Sequence, residues 1–505
     1  MEYPGFVAGA YEALSYAVSG DRLINWYPEI VESKLGKSVI NYYPTPGLIL
    51  HADTSALGAG REMFALDGRM FAVIGATFVE FKADGTFTPY PGLADDGNPA
   101  YIVANAAKGV DTPDPSIPMH QPKGTELMIA SGGNGYIFDE GALTLTQITG
   151  GLEPDGTTPG AFFGCAMPAF LDGYLIALTP DSRDIQISQI NDGIDWSALD
   201  VSTNAGSADK VIAIISDHEY LYQLGSKRTA IYANSGNADF PLTPVPGAFI
   251  EQGIIAPASL RRIDNTLMWL GANEYGGAVA YRANGFIPTR VSTHAVEQAW
   301  RKYTTRADAV ASIDQWDGHT FYRITFPTAD QTWVLDLTTN LWHQRASFDT
   351  ATGTLHAQTQ RFHCYAGGVH YVTGTDGKIY REDPTVFTED GRPIKRLRQG
   401  PVVAKENKMA FVTRLEIVIE SGIGLDGDPT AQGANPQMML RYSGDSGKTW
   451  SNEIWAEGGR IGDTEARVIF DQLGSGRAWV PELSTTDPNN WVVVTANVEV
   501  QFGAW

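Results

Sequence analysis

Residues 440–450, LRYSGDSGKTW, combine several reactive side chains at spacings that match known motifs. Gly447-Lys448-Thr449 has the form of the end of a phosphate-binding loop, in which backbone amides cradle phosphate oxygens. Gly444-Asp445-Ser446-Gly447 has the form of a segment that presents a nucleophilic serine. The octet Ser443–Trp450 also fits S-x-D-x-G-x-T-W, a hairpin-turn motif. These interpretations imply nucleotide binding, covalent catalysis and a purely structural role, respectively.

The phosphate-binding interpretation fails on two counts. The motif G-x-x-x-x-G-K-T requires a glycine at position 442, where this chain has Tyr442. It also requires a helix directly after the lysine, because the helix N-terminus supplies the amides that hold the phosphate. The residues that follow, WSNEIW, are instead typical of a strand. The sequence therefore does not predict a nucleotide site here.

The nucleophile interpretation lacks its partners. A catalytic Ser446 would need a histidine as general base and an acidic residue to orient that histidine. The nearest match to the histidine segment of a chymotrypsin-type protease is Phe362-His363-Cys364, which lacks the preceding alanines. It also falls in a stretch whose pattern predicts a propeller blade. We therefore predict no protease.

The octet then remains as the Asp-box of sialidase-like propellers, with Ser443, Asp445, Gly447, Thr449 and Trp450 in place. The aspartate can accept hydrogen bonds from the amides of its own turn, and the glycine supplies positive φ. In sialidase-like families these boxes lie away from the active site and recur in several blades. One complete copy occurs here, so the motif predicts a structural hairpin whose tryptophan packs on the sheet. A carbohydrate-active propeller, such as a sialidase-like hydrolase or depolymerase, remains the alternative, because its catalytic residues could lie elsewhere.

Other clusters of polar residues give no stronger signal. The sequence predicts no catalytic residue, no cofactor site and no metal site. Zinc ligands favour short repeated spacings, whereas these four residues are separated by seven, one and six positions: His356, His363, Cys364 and His370. Two acidic turns, 95–98 and 426–428, could attract Ca²⁺, but neither completes an EF-hand loop. We expect both to be solvated turns.

The rest of the chain consists mostly of short aromatic and β-branched segments separated by Asp-Gly or Asn-Gly, as in LDGRMFAVIG. This pattern predicts hairpins. The segments recur roughly every 35 to 70 residues, close to the period of a four-stranded propeller blade. One helix is expected after Thr293, with Val296 and Trp300 on its apolar face. The predicted fold class is all-β, a propeller of six or seven blades followed by an antiparallel sandwich-like domain.

The predicted domains follow the changes in sequence pattern. Residues 1–50 form an N-terminal extended segment and residues 51–385 form the propeller. Residues 386–404 are basic, polar and interrupted by Gly and Pro, which is typical of a linker. Longer strand patterns over residues 405–505 predict the C-terminal β domain that carries the Asp-box.

The amino-acid composition excludes several classes of function. The chain has 36 Lys and Arg against 58 Asp and Glu, a formal net charge of −22. A protein that reads duplex DNA normally presents a basic face, so sequence-specific DNA binding is not expected. Two cysteines, Cys165 and Cys364, provide no disulfide framework and indicate synthesis in a reducing compartment. The first twenty residues do not resemble a signal peptide, and no apolar run has the length of a membrane span.

Several segments together resemble one family. The segment RLINWYPEIVESKLGKSVINYYPTPGL carries N-x-Y-P-E … P-G-L, with Asn25, Tyr27, Pro28, Glu29, Pro46, Gly47 and Leu48. The helix segment STHAVEQAWRKYT, the two strands after it, and the Asp-box followed by Leu473, Gly474 and Arg477 fit the same pattern. This order resembles the tail hub or nozzle proteins of short-tailed bacteriophages, also called packaged-DNA stabilisation proteins. The resemblance covers the ends and the centre of the chain and leaves residues 90–210 unmatched.

This resemblance implies a structural protein of the virion tail, made in the host cytoplasm and without enzyme activity. Such proteins form a homo-oligomeric ring, typically a hexamer, below the portal and its adaptor. They retain packaged DNA together with a tail needle or plug, neighbour the tail fibres or spikes, and contact DNA only in transit.

Overall fold

Two-residue turns define the local structure of this chain. The computed structural model describes residues 1–12, 20–31, 38–105, 125–153, 157–204, 209–237, 240–273 and 275–503. Asp67 and Gly68 have φ values of 49° and 83° and reverse the chain between two antiparallel strands. Asp317 and Gly318 do the same with 48° and 86°. Such left-handed pairs match the twist of the flanking strands, and they confirm the hairpins predicted at these Asp-Gly sites.

The first strands of the chain are divided between two parts of the molecule. They are β1 (Arg22–Ile24), β2 (Trp26–Ile30), β3 (Ile40–Pro44) and β4 (Gly47–Asp53). Both β1 and β3 pair with strands from the end of the chain, and β2 pairs with β3. By contrast, β4 becomes the fourth strand of the last propeller blade.

Five four-stranded antiparallel sheets follow, each with its strands side by side in sequence order. Blade 1 contains β5 (Gly60–Leu66), β6 (Arg69–Ile74), β7 (Thr77–Phe81) and β8 (Phe87–Pro91); blade 2 contains β9 (Tyr101–Ala104), β10 (Glu126–Ser131), β11 (Asn134–Asp139) and β12 (Thr144–Gln147). Blade 3 contains β13 (Met167–Leu171), β14 (Tyr174–Leu178), β15 (Asp184–Gln189) and β16 (Asp192–Thr203); blade 4 contains β17 (Val211–Asp217), β18 (Tyr220–Gly225), β19 (Thr229–Asn234) and β20 (Leu242–Ile250). Blade 5 contains β21 (Arg261–Ile263), β22 (Thr266–Ala272), β23 (Ala278–Asn284) and β24 (Ile287–Arg290).

Helical structure is scarce. Two single-turn 3₁₀ helices, Ser55–Leu57 and Pro257–Ser259, precede blades 1 and 5, and the α-helix α1 (His294–Arg301) precedes blade 6. The Thr293 hydroxyl caps α1 by accepting a hydrogen bond from the amide of Val296 at 3.4 Å. Val296 and Trp300 are buried, as the sequence pattern predicted.

The last two blades are extended by strands from elsewhere. Blade 6 contains β25 (Val310–Trp316), β26 (His319–Phe326), β27 (Gln331–Asp336) and β28 (Leu341–Asp349), with β29 (Thr354–Ala357) beside the end of β28. Blade 7 contains β30 (Gln360–Ala366), β31 (Val369–Gly374), β32 (Lys378–Asp383) and the N-terminal strand β4. The described residues therefore form seven blades, the higher of the two predicted counts.

The first strand of each blade lies innermost. Contacts between β5 and β9, β9 and β13, β13 and β17, β21 and β25, β25 and β30, and β30 and β5 build the ring around the central axis. Apolar clusters bridge neighbouring blades, for example blades 2 and 3 through Met128 and Trp196. Each sheet thus buries both faces against its neighbours, which explains why the blade strands are apolar with little alternation.

Most of the remaining strands form the sandwich with β1, β2 and β3, as the sequence predicted for a second antiparallel β domain. Two short strands that come first, β33 (Thr388–Glu389) and β34 (Arg392–Pro393), extend the sheet of blade 7 beside β4. The sandwich strands are β35 (Arg396–Gln399), β36 (Ala410–Ile419), β37 (Gln437–Ser443), β38 (Ile454–Glu457), β39 (Val468–Asp471), β40 (Ser475–Gly476), β41 (Val480–Thr485) and β42 (Val493–Phe502). One sheet has the order β1-β35-β41-β37-β38 and the other β2-β3-β42-β36-β39, with β40 beside β36. Between them lies a core that includes Trp26, Tyr42, Leu415, Trp479 and Trp491.

Residues 386–404, predicted as a linker, carry β33, β34 and β35. Strand β35 pairs with β1 on one side and β41 on the other. Its residues Arg396 and Arg398 are fully buried. We therefore propose a division in which residues 51–385 form the propeller, with the start of β4 and strands β33 and β34 added to it, and residues 405–505 form the core of the sandwich, with β35 and β1–β3 added to it.

Glu389 lies where β4, β28 and the segment after the propeller meet. It stands opposite Leu48 in a short parallel pairing between β33 and β4. Its carboxyl group is buried and accepts a hydrogen bond from the Ser347 hydroxyl at 3.3 Å. Burial raises the pKa of Glu389 to about 7, although the nearby Arg392 opposes that shift.

We expect Glu389 to make stability pH-dependent. Its folded pKa lies above its ordinary value of 4.5, so its contribution is fully present below pH 4.5 and is lost as pH rises through 7. Glu389→Gln should therefore raise the free energy of unfolding at pH 8 by up to about 3 kcal/mol and change it little at pH 4.5. Urea denaturation at both pH values measures this. Glu465→Gln, at an exposed glutamate, is the control, and an equal pH slope in wild type and Glu389→Gln would contradict the expectation.

Candidate functional site

The propeller and the sandwich are joined through Asn25. Strand β1 lies parallel to β28, with Ile24 opposite Gln344, so that blade 6 and one sandwich sheet form a continuous ten-stranded sheet. Asn25 has a left-handed φ of 58° and turns the chain from β1 into β2. Its side-chain amide donates to the carbonyls of Ala346 and Lys395, both at 2.8 Å, and its oxygen accepts from the Ala346 amide at 2.9 Å. One side chain thus connects three segments.

A buried histidine continues this joint along β2. His319 of blade 6 forms a short hydrogen bond through Nε2 with Glu29 and a 2.7 Å hydrogen bond through Nδ1 with Asp336. The Tyr27 ring packs edge-on against His319 and Phe321, with centroids 5.2 and 5.4 Å away. Burial alone would lower the pKa of His319, but the bonds to Asp336 and Glu29 raise it above its ordinary value.

The P-G-L segment fastens the last blade. The Gly47 amide donates to the Val386 carbonyl at 2.7 Å. A Cβ atom at this position would lie 2.4 Å from that oxygen and 2.6 Å from the Thr388 carbonyl oxygen, so no larger residue fits. Leu48 packs with Val372 in blade 7. The N-x-Y-P-E … P-G-L residues therefore act at joints between parts of the molecule.

Four buried charges bind blade 6 to blade 7. Arg323 pairs with Asp314 at 3.6 Å and with Glu382 of blade 7 at 3.1 Å, and Arg345 pairs with Asp314 at 3.2 Å. All four side chains are at most 3% exposed. Burial opposes ionisation of Asp314, but the two arginines hold its pKa below the ordinary value. Removing one member of such a set leaves an uncompensated buried charge, which is far costlier than losing an exposed pair.

The Asp-box forms a compact turn. The Asp445 carboxylate accepts hydrogen bonds from the amides of Lys448 and Thr449, both at 2.9 Å, and from the hydroxyls of Ser443 and Thr449, at 2.7 and 2.8 Å. Gly447 has a φ of 85°. The Thr449 amide and the hydroxyl bonds lower the pKa of Asp445 well below its ordinary range. The carboxylate is thus already occupied by its own turn.

Trp450 lies just before β38 and stacks over the Arg441 guanidinium, which is 4.8 Å from the ring centroid. Arg441 in turn pairs with Glu482 of β41 at 2.6 Å. The indole thus packs on the sheet through a cation–π contact. Neither the box nor its neighbours place a histidine beside Ser446, and we propose a structural role for the five box residues.

The four candidate zinc ligands do not converge. His363 Nε2 lies 2.8 Å from His370 Nδ1, and the two rings face each other across β30 and β31. Cys364 is buried on the opposite side of β30 in the core between blades 1 and 7, whereas His356 hydrogen-bonds to Asp330. Within the described ranges, no three His, Cys, Asp or Glu residues are grouped to hold a metal ion.

The acidic turn at 95–98 already holds a cation. The Arg61 guanidinium pairs with Asp95 at 3.4 Å and Asp96 at 2.9 Å, and donates to the Asn98 carbonyl at 2.7 Å. It occupies the centre of the turn where Ca²⁺ was considered. The turn at 426–428 instead uses its carboxylates for its own amides and the Thr430 hydroxyl.

The propeller axis is closed by side chains. Glu62 of blade 1 and Arg261 of blade 5 reach across it and pair at 3.3 Å, and Arg261 also donates to the Ala311 carbonyl at 2.7 Å. At the end where the inner strands begin, a cavity of about 550 Å³ forms the mouth of the axis. Arg61 and Arg361 are among its lining residues.

Residues 111–386 match the family model described as bacteriophage P22 Gp10, beta-propeller, and residues 395–501 match that described as bacteriophage P22 Gp10, beta-sandwich. The chain belongs to the bacteriophage P22 Gp10 family. The match confirms the resemblance to tail hub proteins and includes most of the stretch, 90–210, that the sequence motifs left unmatched. Among curated proteins, none is similar in sequence to this chain.

Solved structures are similar to this P22 Gp10 family member only in part. The Neurospora crassa Pan2 WD40 domain is 8% identical with a TM-score of 0.37, and covers 70% of this chain and 97% of its own. BamB from Moraxella catarrhalis is 10% identical with a TM-score of 0.37, covering 72% and 97%. The extracellular domain of BT4673 from B. thetaiotaomicron is 13% identical with a TM-score of 0.39, covering 92% and 64%.

The sequence motifs of this P22 Gp10 family member do not include the buried charges or the arginine in the mouth. A signal was present in blade 6, where charged residues stand between aromatic and aliphatic neighbours inside strands, as in SIDQW, FYRITF and LWHQRAS. Such a residue in a strand buried on both faces must find a partner. The partner's identity is not encoded locally, because Glu382 belongs to the next blade.

We expect the Asn25 side chain to stabilise the joint. Asn25→Ala removes three hydrogen bonds and leaves buried groups of Ala346 unpaired, which should cost about 2–4 kcal/mol of unfolding free energy. Asn340→Ala is the matched control, because Asn340 is also left-handed (φ 56°) but exposed, and should cost about 1 kcal/mol. Urea denaturation compares the two variants. Equal losses would show that backbone strain, and not the side-chain bonds, explains the effect.

We expect Asp445→Ala to destabilise the sandwich without removing any catalysis. Its turn loses four hydrogen bonds, so the unfolding temperature of the sandwich should fall, whereas Asp463→Ala, at an exposed carboxylate of the same domain, should leave it unchanged. Calorimetry measures the transition, and a fluorogenic sialoside tests hydrolysis by the wild-type chain. Robust hydrolysis that Asp445→Ala abolishes in a folded protein would support the sialidase alternative instead.

Proposed function

We propose that this chain is a non-enzymatic subunit of the virion tail of a short-tailed phage. Copies assemble into a ring, most simply a hexamer, below the portal and its adaptor. The ring helps to retain packaged DNA with a needle or plug and conducts it during ejection. The observation that carries this proposal is the ordered match of both P22 Gp10 family domains over residues 111–386 and 395–501.

Because the propeller axis is closed, duplex DNA cannot run through the propeller of one subunit. The Glu62–Arg261 pair crosses the propeller centre, and the cavity at its mouth holds only about 550 Å³. Duplex DNA, whose major groove alone is about 12 Å wide, is too large for such a passage. Any duplex conducted by this protein must therefore run between copies, which is the geometry of a ring.

The net negative charge of the chain favours passage of duplex DNA without binding it. Each copy carries a formal charge of −22, and every basic group that neutralised a phosphate would instead add affinity by releasing counterions. A net acidic ring repels the duplex, with repulsion screened beyond about 8 Å at physiological salt. Closure would then depend on a protein plug. The helices of the described segments are too short and too polar to cross a membrane.

The joint between propeller and sandwich favours a subunit that is rigid. The continuous ten-stranded sheet and the Asn25 bonds connect propeller and sandwich, and the buried charges hold blade 6 against blade 7. A part that transmits the load of packed DNA to its neighbours benefits from such stiffness. Fibres or spikes and the adaptor would bind to its outer surfaces.

We expect electron microscopy of the purified chain, mixed with portal, adaptor and needle proteins of the same phage, to show rings on the adaptor end. The assembled ring should show no measurable affinity for duplex DNA at physiological salt in an anisotropy titration. Monomers that never join the tail components would contradict the ring. Tight, salt-sensitive DNA binding would contradict the proposed repulsive channel.

A further inference from the structure

The mouth of the propeller axis has the form of a small binding site. Six of the seven blades contribute to its wall, and the cavity measures about 550 Å³. Much of its lining is apolar, including Ala130, Ala166, Pro257, Ala258, Val310 and Phe362. Concave, largely apolar sites with a few convergent polar groups are the usual form of ligand sites.

Most charges at the mouth already have partners. Arg61 is held by Asp95 and Asp96. Asp308 accepts a 2.8 Å hydrogen bond from the Thr328 amide through Oδ2, whereas its Oδ1 is buried without a hydrogen-bond partner. These groups contribute negative charge to the surroundings.

Asp330, which acts on Arg361 through its charge but does not line the cavity, is also engaged. It accepts a hydrogen bond from the Ala357 amide at 2.7 Å and bonds to His356 at 2.7 Å. Both of its oxygens are thus engaged, and it acts on Arg361 only through its charge, without a direct ion pair.

Among the basic side chains of the wall that the structure describes, Arg361 is the exception. Its guanidinium has no hydrogen-bond partner and no carboxylate within 4 Å among the described contacts, and its Nε is buried. Burial lowers the pKa of Arg361, and the more distant Asp308 and Asp330 only partly offset this. The residue as a whole is half-buried, but its Nε has lost water without gaining a partner, which is unfavourable because buried polar groups are normally paired.

The geometry points to a carboxylate-binding site at the mouth, in which Arg361 binds the carboxylate and the apolar wall packs against the rest of the ligand. A guanidinium presents parallel N–H donors that fit a carboxylate in bidentate fashion. Asp95, Asp96, Asp308 and Asp330 make the surroundings net acidic, so a single carboxylate is favoured over inorganic phosphate or a nucleic-acid backbone. The ligand is a compact organic acid or an acidic side chain of a polypeptide. This inference does not depend on ring assembly.

The test uses the whole chain and four probes in calorimetry and ligand-observed NMR. They are N-acetylglutamate α-amide, its glutamine counterpart, 4-methylpentanoate and inorganic phosphate. We expect at least one of the two carboxylates to bind at least tenfold more tightly than both the glutamine probe and phosphate. Tighter binding of the glutamate probe identifies a polypeptide side chain as the source, and tighter binding of 4-methylpentanoate identifies a free acid.

Substitutions of arginine test whether the carboxylate probes bind at Arg361. Arg361→Gln should abolish the preference for carboxylate, Arg361→Lys should keep part of it, and Arg301→Gln, at an exposed arginine of α1, should leave it unchanged. Because Arg361 has no partner in the free protein, Arg361→Gln should unfold at or above the wild-type temperature, which separates lost binding from lost fold.

Four outcomes would overturn the inference. They are equal binding of the glutamate and glutamine probes, tighter binding of phosphate, binding that survives Arg361→Gln, and no carboxylate binding at 20 mM. A lower unfolding temperature of Arg361→Gln would also count against it, because it would show that the arginine already has a stabilising partner.

Discussion

The pairing of N-terminal strands with elements hundreds of residues away is the constraint on which the rest of this structure depends. Blade 7 reaches four strands only because β4, from the start of the chain, pairs with β32, which joins the two ends of the propeller segment. The same segment places β1 between β28 and β35. The propeller therefore cannot close without also fixing the sandwich beside blade 6.

This arrangement explains why charged residues are tolerated deep in blades 6 and 7. Blade 6 is covered by β1 and β2 on its outer side and by blade 7 on a face, so its strands are buried almost throughout. Arg323, Arg345 and Asp314 cannot reach water and must neutralise each other with Glu382. Such a set adds little net stability but strongly penalises any shift of one blade against the other. It suits a part that must keep its shape under load.

The same architecture separates the two kinds of surface that a tail component needs. The propeller axis is closed by Glu62 and Arg261, so the interior of the propeller is not a conduit, and its mouth retains only a small cavity. The outer surfaces of the blades and of the sandwich are left for neighbouring proteins. An assignment to the bacteriophage P22 Gp10 family fits a rigid body of this kind, whereas a fold alone would not specify it.

Local sequence determined much of this protein. Asp-Gly pairs and alternating or apolar strands predicted hairpins, propeller and sandwich, because turn preference and strand burial depend on neighbours within a few residues. The Thr293 cap and the Asp-box turn were predictable for the same reason. Only the tertiary structure decided that β1–β3 belong to the sandwich, that β35 is a buried strand within the predicted linker, that Arg61 occupies the acidic turn, and that Arg361 lacks a partner. These are contacts between residues far apart in the chain, where any of several charges or strand edges could have served, and the closed ring selected one.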